Sequence, residues 1–162
     1  MKTLVIVRHA KSSWDNLSLS DHDRPLNKRG LRDAPVMGAR LAKWGPPVDR
    51  VISSSAARAL TTAEFITQEM GLPWDEILIE HALYHATEEE MLEIIQDQDD
   101  YIDGLMLFGH NPGMTYLAND LSNLDLSNLP TCGVVILQFN VDSWRKVGED
   151  TADSADWDSP KK

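Results

Sequence analysis

The sequence predicts an α/β protein with three layers, in which helices cover both faces of a mostly parallel central sheet. Apolar runs of strand length alternate along the chain with segments of helical periodicity, as they do in β-α-β units. The apolar runs are continuous, which is typical of strands buried on both faces. With 162 residues, the chain has the size of one ordinary domain and can bury a core without disulfides.

Five apolar runs predict the strands, at residues 3–7, 48–54, 76–80, 104–109 and 133–139. The first helix is predicted from residue 28 to 44, with Asn27 as its N-cap. Pro35 lies inside this segment and predicts a kink or a later start. The second helix is predicted to follow the serines at 53–55, which offer N-caps, and to run to about Met70, with Gly71 as its C-terminal stop.

Capping residues mark the two later helices. Thr87 and Glu90 have the spacing of a capping box, so a third helix is predicted to start there. Asn111 and Pro112 predict the N-cap and first turn of a fourth helix, which runs to about Leu121. Each helix thus lies between two predicted strands.

The residues from 148 onward differ from the rest of the chain in composition. They include five acids and two lysines, and Trp157 is the only large apolar side chain among them. Such a segment has little apolar surface to bury. The sequence therefore predicts one domain over residues 1–147 and an acidic, flexible tail over 148–162, in which Trp157 alone could dock.

The net charge of −11 argues against non-specific binding to nucleic acid or to anionic membranes, so neither is an expected partner. No apolar segment approaches the ~20 residues of a membrane span, and the first apolar run is too short for a signal peptide. Cys132 is the only cysteine and is interpreted as a small core residue, which fits a reducing compartment. A cytoplasmic location is expected.

Cationic and imidazole side chains follow three of the predicted strands. Arg8 and His9 end the first strand, Arg58 lies in the first turn after the second, and His110 follows the fourth. Ligands of open α/β sheets bind beyond the carboxyl ends of the strands, where helix N-termini present free N–H groups. Arginines bind phosphate oxygens bidentately. The sequence therefore predicts a phosphate site at this edge, built from local cations in an acidic protein.

A metal site is not predicted. His81 and His85 are four residues apart, but they lie on a strand end and a loop rather than on a helix, and no third ligand follows at motif spacing. His22 is placed at the surface or beside the site. No cofactor is expected.

Three motifs resemble those of the histidine phosphatase superfamily, also called the phosphoglycerate mutase-like fold: "VRHAK" (7–11), "SSSAARALTTAE" (53–64) and "GHNPG" (109–113). "RPLNKRG" (24–30) resembles the family's R-x-L-[TN]-x-x-G segment. The resemblance spans residues 3 to 139. It is greatest to the short SixA-type subgroup, the phosphohistidine phosphatases, and it implies that the predicted domain is a histidine phosphatase domain.

The resemblance also implies roles for individual residues. The catalytic residues would be Arg8, His9, Arg58 and His110, with His9 as the nucleophile. The substrate-binding residues would be Asp21, Arg24 and Asn111. Ala10 stands where the family usually has glycine, and a methyl group is tolerated there if its φ is negative.

A second departure from the family pattern bears on the substrate. Mutases and many phosphomonoesterases of the family carry a glutamate general acid after the second motif, and here Tyr84 and His85 stand in that stretch. An alkoxide leaving group needs a proton, whereas phosphohistidine has a labile N–P bond. The residues Glu88–Glu90 are interpreted as the first turn of a helix.

The expected function is that of a metal-independent phosphatase with a phosphohistidine intermediate on His9, which Arg8 and Arg58 keep unprotonated. Its expected partner is a phosphorylated substrate, with a phosphohistidine protein as the candidate. Two alternatives stay open: a small-molecule phosphomonoesterase of the same fold, and a phosphate-binding protein without turnover.

Overall fold

A computed structural model describes residues 1–162. Its six strands are β1 (Lys2–Arg8), β2 (Arg50–Ser53), β3 (Leu78–Ile79), β4 (Gly104–Gly109), β5 (Val134–Phe139) and β6 (Ser154–Asp158). Its four α-helices are α1 (Lys28–Trp44), α2 (Ala57–Glu69), α3 (Glu88–Gln96) and α4 (Gly113–Leu121). No helix is both long enough and apolar enough to cross a membrane.

The six strands form one sheet in the order β3-β2-β4-β1-β5-β6. The first four of these strands run parallel, β5 pairs antiparallel with β1, and β6 pairs antiparallel with β5. The prediction of a mostly parallel sheet is confirmed, and the reversed fifth strand adds an antiparallel edge to it.

Helices cover both faces of the sheet, so the three-layer prediction is confirmed. Alternate residues of β1 point to opposite faces. Leu4 and Ile6 belong to the core beneath α3 and α4, whereas Val5 and Val7 belong to the core beneath α1 and α2. Because all four side chains are fully buried, β1 is the central support of the residues that follow it.

The predicted helix starts are confirmed at two positions. The Asn27 side chain accepts a hydrogen bond from the backbone N–H of Gly30 at 2.9 Å, and Thr87 and Glu90 form the complete capping box. Of the two alternatives predicted at Pro35, a kink or a later start, the later start is wrong, since α1 begins at Lys28 and contains this proline. A Cβ at residue 30 would overlap the carbonyl oxygen of Lys11, so only glycine lets α1 lie this close to the end of β1.

The other two helix caps differ from the prediction. The N-cap of α2 is Ala56, without a side-chain hydrogen bond. Ser54 accepts a bond from the Ala56 N–H but also reaches His110, so its hydroxyl serves the site rather than the helix. The N-cap of α4 is Pro112, and the preceding Asn111 side chain accepts from the N–H of Thr115 at 3.2 Å.

The prediction of a flexible acidic tail is wrong for residues 154–158, which form β6. Val135 of β5 pairs with Trp157, and Leu137 pairs with Ala155. Trp157 and Ala155 pack against the larger core, whereas the acidic Asp156 between them is exposed. The alternation of apolar and acidic residues orders this segment, because one face meets the core while the charges stay in water.

Cys132 is fully buried, as predicted for a core residue. Burial raises the pKa of its thiol to about 12. The thiol therefore stays protonated near neutral pH and is a poor nucleophile. Its backbone N–H donates to the carbonyl oxygen of His9 at 3.0 Å, so the residue helps to hold the end of β1.

Candidate active site

The strand ends bring the four predicted catalytic residues together. Arg8 pairs with Gly109 at the ends of β1 and β4, and the His9 N–H donates to the Gly109 carbonyl oxygen at 3.1 Å. His110, the next residue, has its ring centroid 5.2 Å from that of His9. A cavity of about 220 Å³ has three of these residues, Arg8, His9 and Arg58, in its wall together with Arg24.

The hydrogen bonds of His9 define which of its ring nitrogens carries the proton. Nδ1 lies 2.7 Å from the carbonyl oxygen of Ala10, which can only accept, so Nδ1 is the donor. The Arg58 Nε–H points at Nε2 from 3.4 Å. A neutral imidazole with its proton on Nδ1 satisfies both contacts, since the lone pair of Nε2 then accepts the bond from Arg58.

His9 is neutral near pH 7 in this environment. Burial has the largest effect and lowers its pKa to about 4. The hydrogen bond to the Ala10 carbonyl raises the pKa, and the charges of Arg58, Arg8 and Arg24 lower it further. A neutral imidazole is the form that attacks phosphorus.

Ala10 is fully buried, and its φ is not positive. A methyl group is therefore tolerated at this position, where the family usually has glycine. Its N–H donates to the Thr62 hydroxyl at 3.0 Å, and that hydroxyl donates to the Arg58 carbonyl oxygen at 2.7 Å. Thr62 of α2 thus connects the end of β1 to the turn that carries Arg58.

Asp21 holds Arg58 and Arg24 in place. Arg58 donates to the Asp21 carbonyl oxygen at 2.7 Å and to its Oδ2 at 3.1 Å, and Arg24 donates to Oδ1 at 2.8 Å. The Tyr84 hydroxyl donates to Oδ2 at 2.6 Å. The Tyr84 hydroxyl, with Arg24 and Arg58, holds the pKa of Asp21 well below its ordinary value. Asp21 is therefore an anion that positions cations rather than a proton donor.

Arg24 is a buried residue of the cavity wall, and most of its N–H donors already have partners in the protein. Its Nε donates to the Ser13 carbonyl oxygen at 3.0 Å, and a terminal nitrogen donates to the Ser12 hydroxyl. The Trp14 ring covers the guanidinium, with its centroid 3.3 Å from the central carbon. Arg24 thus contributes positive charge from a fixed position.

Arg8 and Asn111 share a partner. Arg8 and the Asn111 amide each donate to the Leu129 carbonyl oxygen at 2.9 Å, and the Asn111 amide also reaches Asn128. The oxygen of the Asn111 amide accepts from Thr115. The structure therefore places Asn111 beside the loop that supports Arg8 and does not bring its side chain into the cavity wall.

His110 has one occupied and one open ring nitrogen. Its Nε2 lies 2.8 Å from the Ser54 hydroxyl, and its buried Nδ1 has no hydrogen-bond partner. Burial, followed by the charges of His9, Arg58 and His85, lowers the pKa of His110 to about 3. When the Ser54 hydroxyl donates to Nε2, the proton of the neutral ring lies on Nδ1, which is then a buried donor without a partner in the protein.

No carboxylic acid stands at the site in a protonated form. Tyr84 packs edge-on against His110, and burial with the Asp21 carboxylate raises the pKa of its phenol. His85 is exposed and lies 3.9 Å from Asp21. Glu90 is used in the α3 capping box, and Glu88 and Glu89 line a different groove.

Sequence reasoning missed Ser54 and Thr62 as contributors to the site, and it gave Trp14 no individual role. Ser54 and Thr62 lie inside the second motif, "SSSAARALTTAE" (53–64). Their position in this motif was the signal that could have identified them as site residues. No group of three or more His, Cys, Asp or Glu side chains is arranged to hold a metal ion.

These features define a class of protein: one with a neutral, buried histidine at a strand end, fixed arginines around it, and a second histidine with a free donor. Such a site suits phosphoryl transfer through a histidine nucleophile. Comparison with known proteins gives the family. Residues 4–103 match the model of the histidine phosphatase superfamily, branch 1. The chain belongs to this superfamily.

The relatives agree with this assignment. An uncharacterized chloroplastic protein of Arabidopsis thaliana is 33% identical over 153 residues, which cover 90% of this chain and 70% of the relative. An uncharacterized protein of Mycobacterium tuberculosis is 31% identical over 142 residues, which cover 82% of this chain and 86% of the relative.

Solved structures define the subgroup. A protein from Agrobacterium tumefaciens, assigned as the phosphohistidine phosphatase SixA, superposes with a TM-score of 0.77 at 29% identity, over 85% of this chain and 92% of the other. A protein histidine phosphatase SixA complexed with tungstate superposes with a TM-score of 0.81 at 20% identity, over 98% of this chain and 97% of the other. The chain is thus a SixA-type member of the histidine phosphatase superfamily, and its class is that of a phosphatase.

Proposed function

We propose that this protein is a metal-independent phosphatase that works through a phosphohistidine intermediate on His9 and that removes phosphoryl groups from phosphohistidine residues of proteins. The observation that carries the proposal is the state of His9. Its Nε2 lone pair faces the arginines of the cavity, while Nδ1 is fixed by the Ala10 carbonyl at 2.7 Å.

In the first step, Nε2 of His9 attacks phosphorus in line with the leaving group. The N–P bond to His9 forms as the bond to the leaving imidazole breaks, and that imidazole takes its proton from water or from a weak acid. The positive charge that develops on the His9 ring is stabilised at Nδ1 by the Ala10 carbonyl. Arg8, Arg58 and the free Nδ1–H of His110 stabilise the phosphoryl oxygens.

In the second step, water attacks the phosphoryl group on His9. The N–P bond breaks, Nε2 regains its lone pair, and the water oxygen with both of its protons becomes part of inorganic phosphate, which leaves as dihydrogen phosphate. The arginine charges face the same oxygens in both steps, so one fixed arrangement of cations serves both transition states.

The chemistry of the leaving group favours phosphohistidine over alkyl phosphates. A departing alkoxide needs a strong proton donor, but Asp21 is held ionised and Tyr84 is held as a neutral phenol. An imidazole leaving group is far less basic than an alkoxide and tolerates this arrangement. The SixA proteins with the same fold are named for phosphohistidine, which supports the same substrate class. The single buried cysteine fits a reducing, cytoplasmic location.

The proposal is tested with the variant His9→Ala and with His81→Ala as its matched control, since His81 is an exposed histidine. Hydrolysis of p-nitrophenyl phosphate and of a phosphohistidine protein is measured in EDTA. We expect wild type and His81→Ala to turn over both substrates in the chelator and His9→Ala to turn over neither. Activity retained by His9→Ala would contradict the mechanism, and activity lost in EDTA would contradict its metal independence.

A substrate panel tests the leaving-group argument. Phosphohistidine protein is compared with phosphorylated sugars and phosphoglycerates by kcat/KM. We expect the phosphohistidine protein to be preferred by about 100-fold or more, since the general acid that alkyl esters need contributes 10²–10⁴-fold. Equal turnover of the alkyl esters would instead identify a small-molecule phosphomonoesterase.

A further inference from the structure

A second cavity adjoins the catalytic one. Its volume is about 300 Å³. The charged residues of its wall, together with one threonine, are Arg8, Lys11, Arg29, Asp33, Thr131 and Lys161. Arg8, Lys11 and Thr131 also line the catalytic cavity, so the two spaces share one wall. We call the second space the cationic cleft.

The charges of the cationic cleft are poorly compensated within the protein. Its wall contains four cations and one carboxylate, Asp33. Lys11, Lys161 and Arg8 form no ion pair with any carboxylate. The Nε atoms of Arg8 and Arg29 are buried without a hydrogen-bond partner.

The one carboxylate does not neutralise the cleft. Asp33 is nearly buried and lies between two arginines, 3.7 Å from Nε of Arg29 and 3.3 Å from Nε of Arg32. Part of its charge is therefore offset by an arginine outside the cleft. A terminal nitrogen of Arg29 donates to the Thr131 hydroxyl at 2.9 Å, which fixes the guanidinium at the wall shared with the catalytic cavity.

The C-terminal segment completes the cleft. Lys161 follows β6, and this segment is held against α1 by Arg40, which donates to the Ser159 carbonyl oxygen at 2.8 Å and pairs with Asp158 at 3.3 Å. Although the chain has 26 acidic and only 15 basic residues, four cations converge here with a single carboxylate among them. Such a group stabilises a bound anion most strongly where it is partly shielded from water.

We propose that the cationic cleft binds a second anionic group of the substrate while the phosphoryl group lies against His9. On the phosphohistidine protein of the proposed function, that group is the carboxylate of an acidic side chain close to the phosphohistidine. This inference rests on the proposed function for the identity of the substrate, whereas the anion subsite itself rests on the cleft alone. The cleft then selects acidic substrates that the net charge of −11 would otherwise repel.

The subsite is tested first without phosphohistidine. Alkylphosphonates of increasing chain length, each with and without a terminal carboxylate, are compared as inhibitors of p-nitrophenyl phosphate hydrolysis. We expect the carboxylate to lower the inhibition constant about 10-fold at the chain length that spans the two cavities, because a charge-assisted contact contributes roughly 1.5–3 kcal/mol and 1.4 kcal/mol is tenfold. If no chain length gains from the carboxylate, the subsite does not exist.

Two variants assign that gain to the cleft. Lys161→Met should remove most of the carboxylate-dependent gain, while Lys162→Met should keep it, since Lys162 instead bonds the Trp157 carbonyl and lies over its ring. Arg29→Met is the second cleft variant, and thermal melting checks that each protein is folded. A gain that survives in both cleft variants would place the second anion elsewhere and overturn the proposal.

Peptides then test the substrate class. Phosphohistidine peptides with glutamate or glutamine at the flanking positions are compared by kcat/KM. We expect wild type and Lys162→Met to prefer the glutamate peptide about 10-fold and Lys161→Met to lose that preference. Equal rates for the two peptides in wild type would refute selection of acidic substrates. If no phosphohistidine peptide is hydrolysed but the phosphonate gain is present, the proposed function fails and the anion subsite stands.

Discussion

The carbonyl oxygen of Ala10 lies 2.7 Å from Nδ1 of His9 and thereby fixes which ring nitrogen is nucleophilic. Because that oxygen can only accept, the proton lies on Nδ1 and the lone pair on Nε2. We therefore expect the covalent intermediate to carry its phosphoryl group on Nε2. Rapid quenching in alkali, followed by chromatographic separation of the two phosphohistidine isomers, measures this directly. An intermediate phosphorylated on Nδ1 would show that the imidazole ring flips, so that Nδ1 faces the substrate, before it reacts.

The low pKa values of the two buried histidines predict how stability changes with pH. In the unfolded chain a histidine titrates near 6.5, whereas in the fold the pKa of His9 is about 4 and that of His110 about 3. Between these values the unfolded chain binds protons that the folded chain does not. Stability therefore falls as the pH falls from 6.5, by about 1.4 kcal/mol per pH unit for each histidine, and the contribution levels off below the folded pKa.

Urea unfolding of wild type and His9→Ala across this pH range measures the effect. The difference between the two free energies of unfolding should change with pH between pH 6.5 and about 3, since His9 has a pKa of about 4 and its charge also lowers the pKa of His110. The matched control, His81→Ala, removes an exposed histidine and should follow the wild-type curve. Parallel curves for wild type and His9→Ala would mean that His9 titrates normally.

Ser54 is predicted to set the proton position of His110. Its hydroxyl lies 2.8 Å from Nε2 and leaves Nδ1 as the free donor. Without it, the ring exchanges between its two neutral forms, so Ser54→Ala should lower kcat about 10-fold. The ¹⁵N shifts of the His110 ring should move from one protonated Nδ1 toward a mixture. Ser53→Ala is the control, because the Ser53 hydroxyl donates only to the Ser54 carbonyl oxygen. Unchanged ring shifts in Ser54→Ala would argue against this role.

The convergence of Arg8, His9, Arg58 and His110 could be predicted from the sequence because parallel strands end at the same edge of a sheet. Each of these residues lies at a strand end or in the first turn that follows one, so their proximity depends only on strand order and direction. The distances between the ends of β1 and β4 confirm this reasoning.

The hydrogen bonds that orient these residues could not be predicted in the same way. Asp21 lies in a short 3-10 turn and Tyr84 at the end of another, and their 2.6 Å contact joins residues 63 positions apart. Nothing in the local periodicity of either segment encodes that contact. The direction of β5 and the pairing of β6 were also undetermined, since an apolar run does not indicate its direction and the acids around Trp157 hide its alternation.

Tyr84 is predicted to act through Asp21 and not on the substrate. Removing its hydroxyl in Tyr84→Phe deletes a 2.6 Å hydrogen bond to Asp21, so the pKa of Asp21 should rise toward its ordinary value and Arg58 should lose part of its anchor. We expect kcat/KM to fall about fivefold, the effect of about 1 kcal/mol. NMR titration of the Asp21 carboxyl should show the higher pKa, which a purely structural role of the ring would leave unchanged.

The control for Tyr84→Phe is Tyr116→Phe, which removes the hydroxyl of an exposed tyrosine on α4 and should change neither kcat/KM nor the pKa of Asp21. A loss that is small for p-nitrophenyl phosphate but about 100-fold for an alkyl phosphate would contradict the prediction, because that pattern belongs to a proton donor for the leaving group.

The pairing of β6 predicts that the C-terminal segment contributes to stability. Trp157 is half-buried against the larger core and pairs with Val135, so Trp157→Ala should lower the free energy of unfolding by about 1–2 kcal/mol. Trp74→Ala is the matched control; Trp74 is 53% exposed, and its replacement should cost within about 0.5 kcal/mol. Urea denaturation of both variants measures the difference. If both variants lose a negligible free energy of unfolding, residues 154–158 detach from the sheet in solution, because a tryptophan on a detached strand is not buried and cannot stabilise the fold.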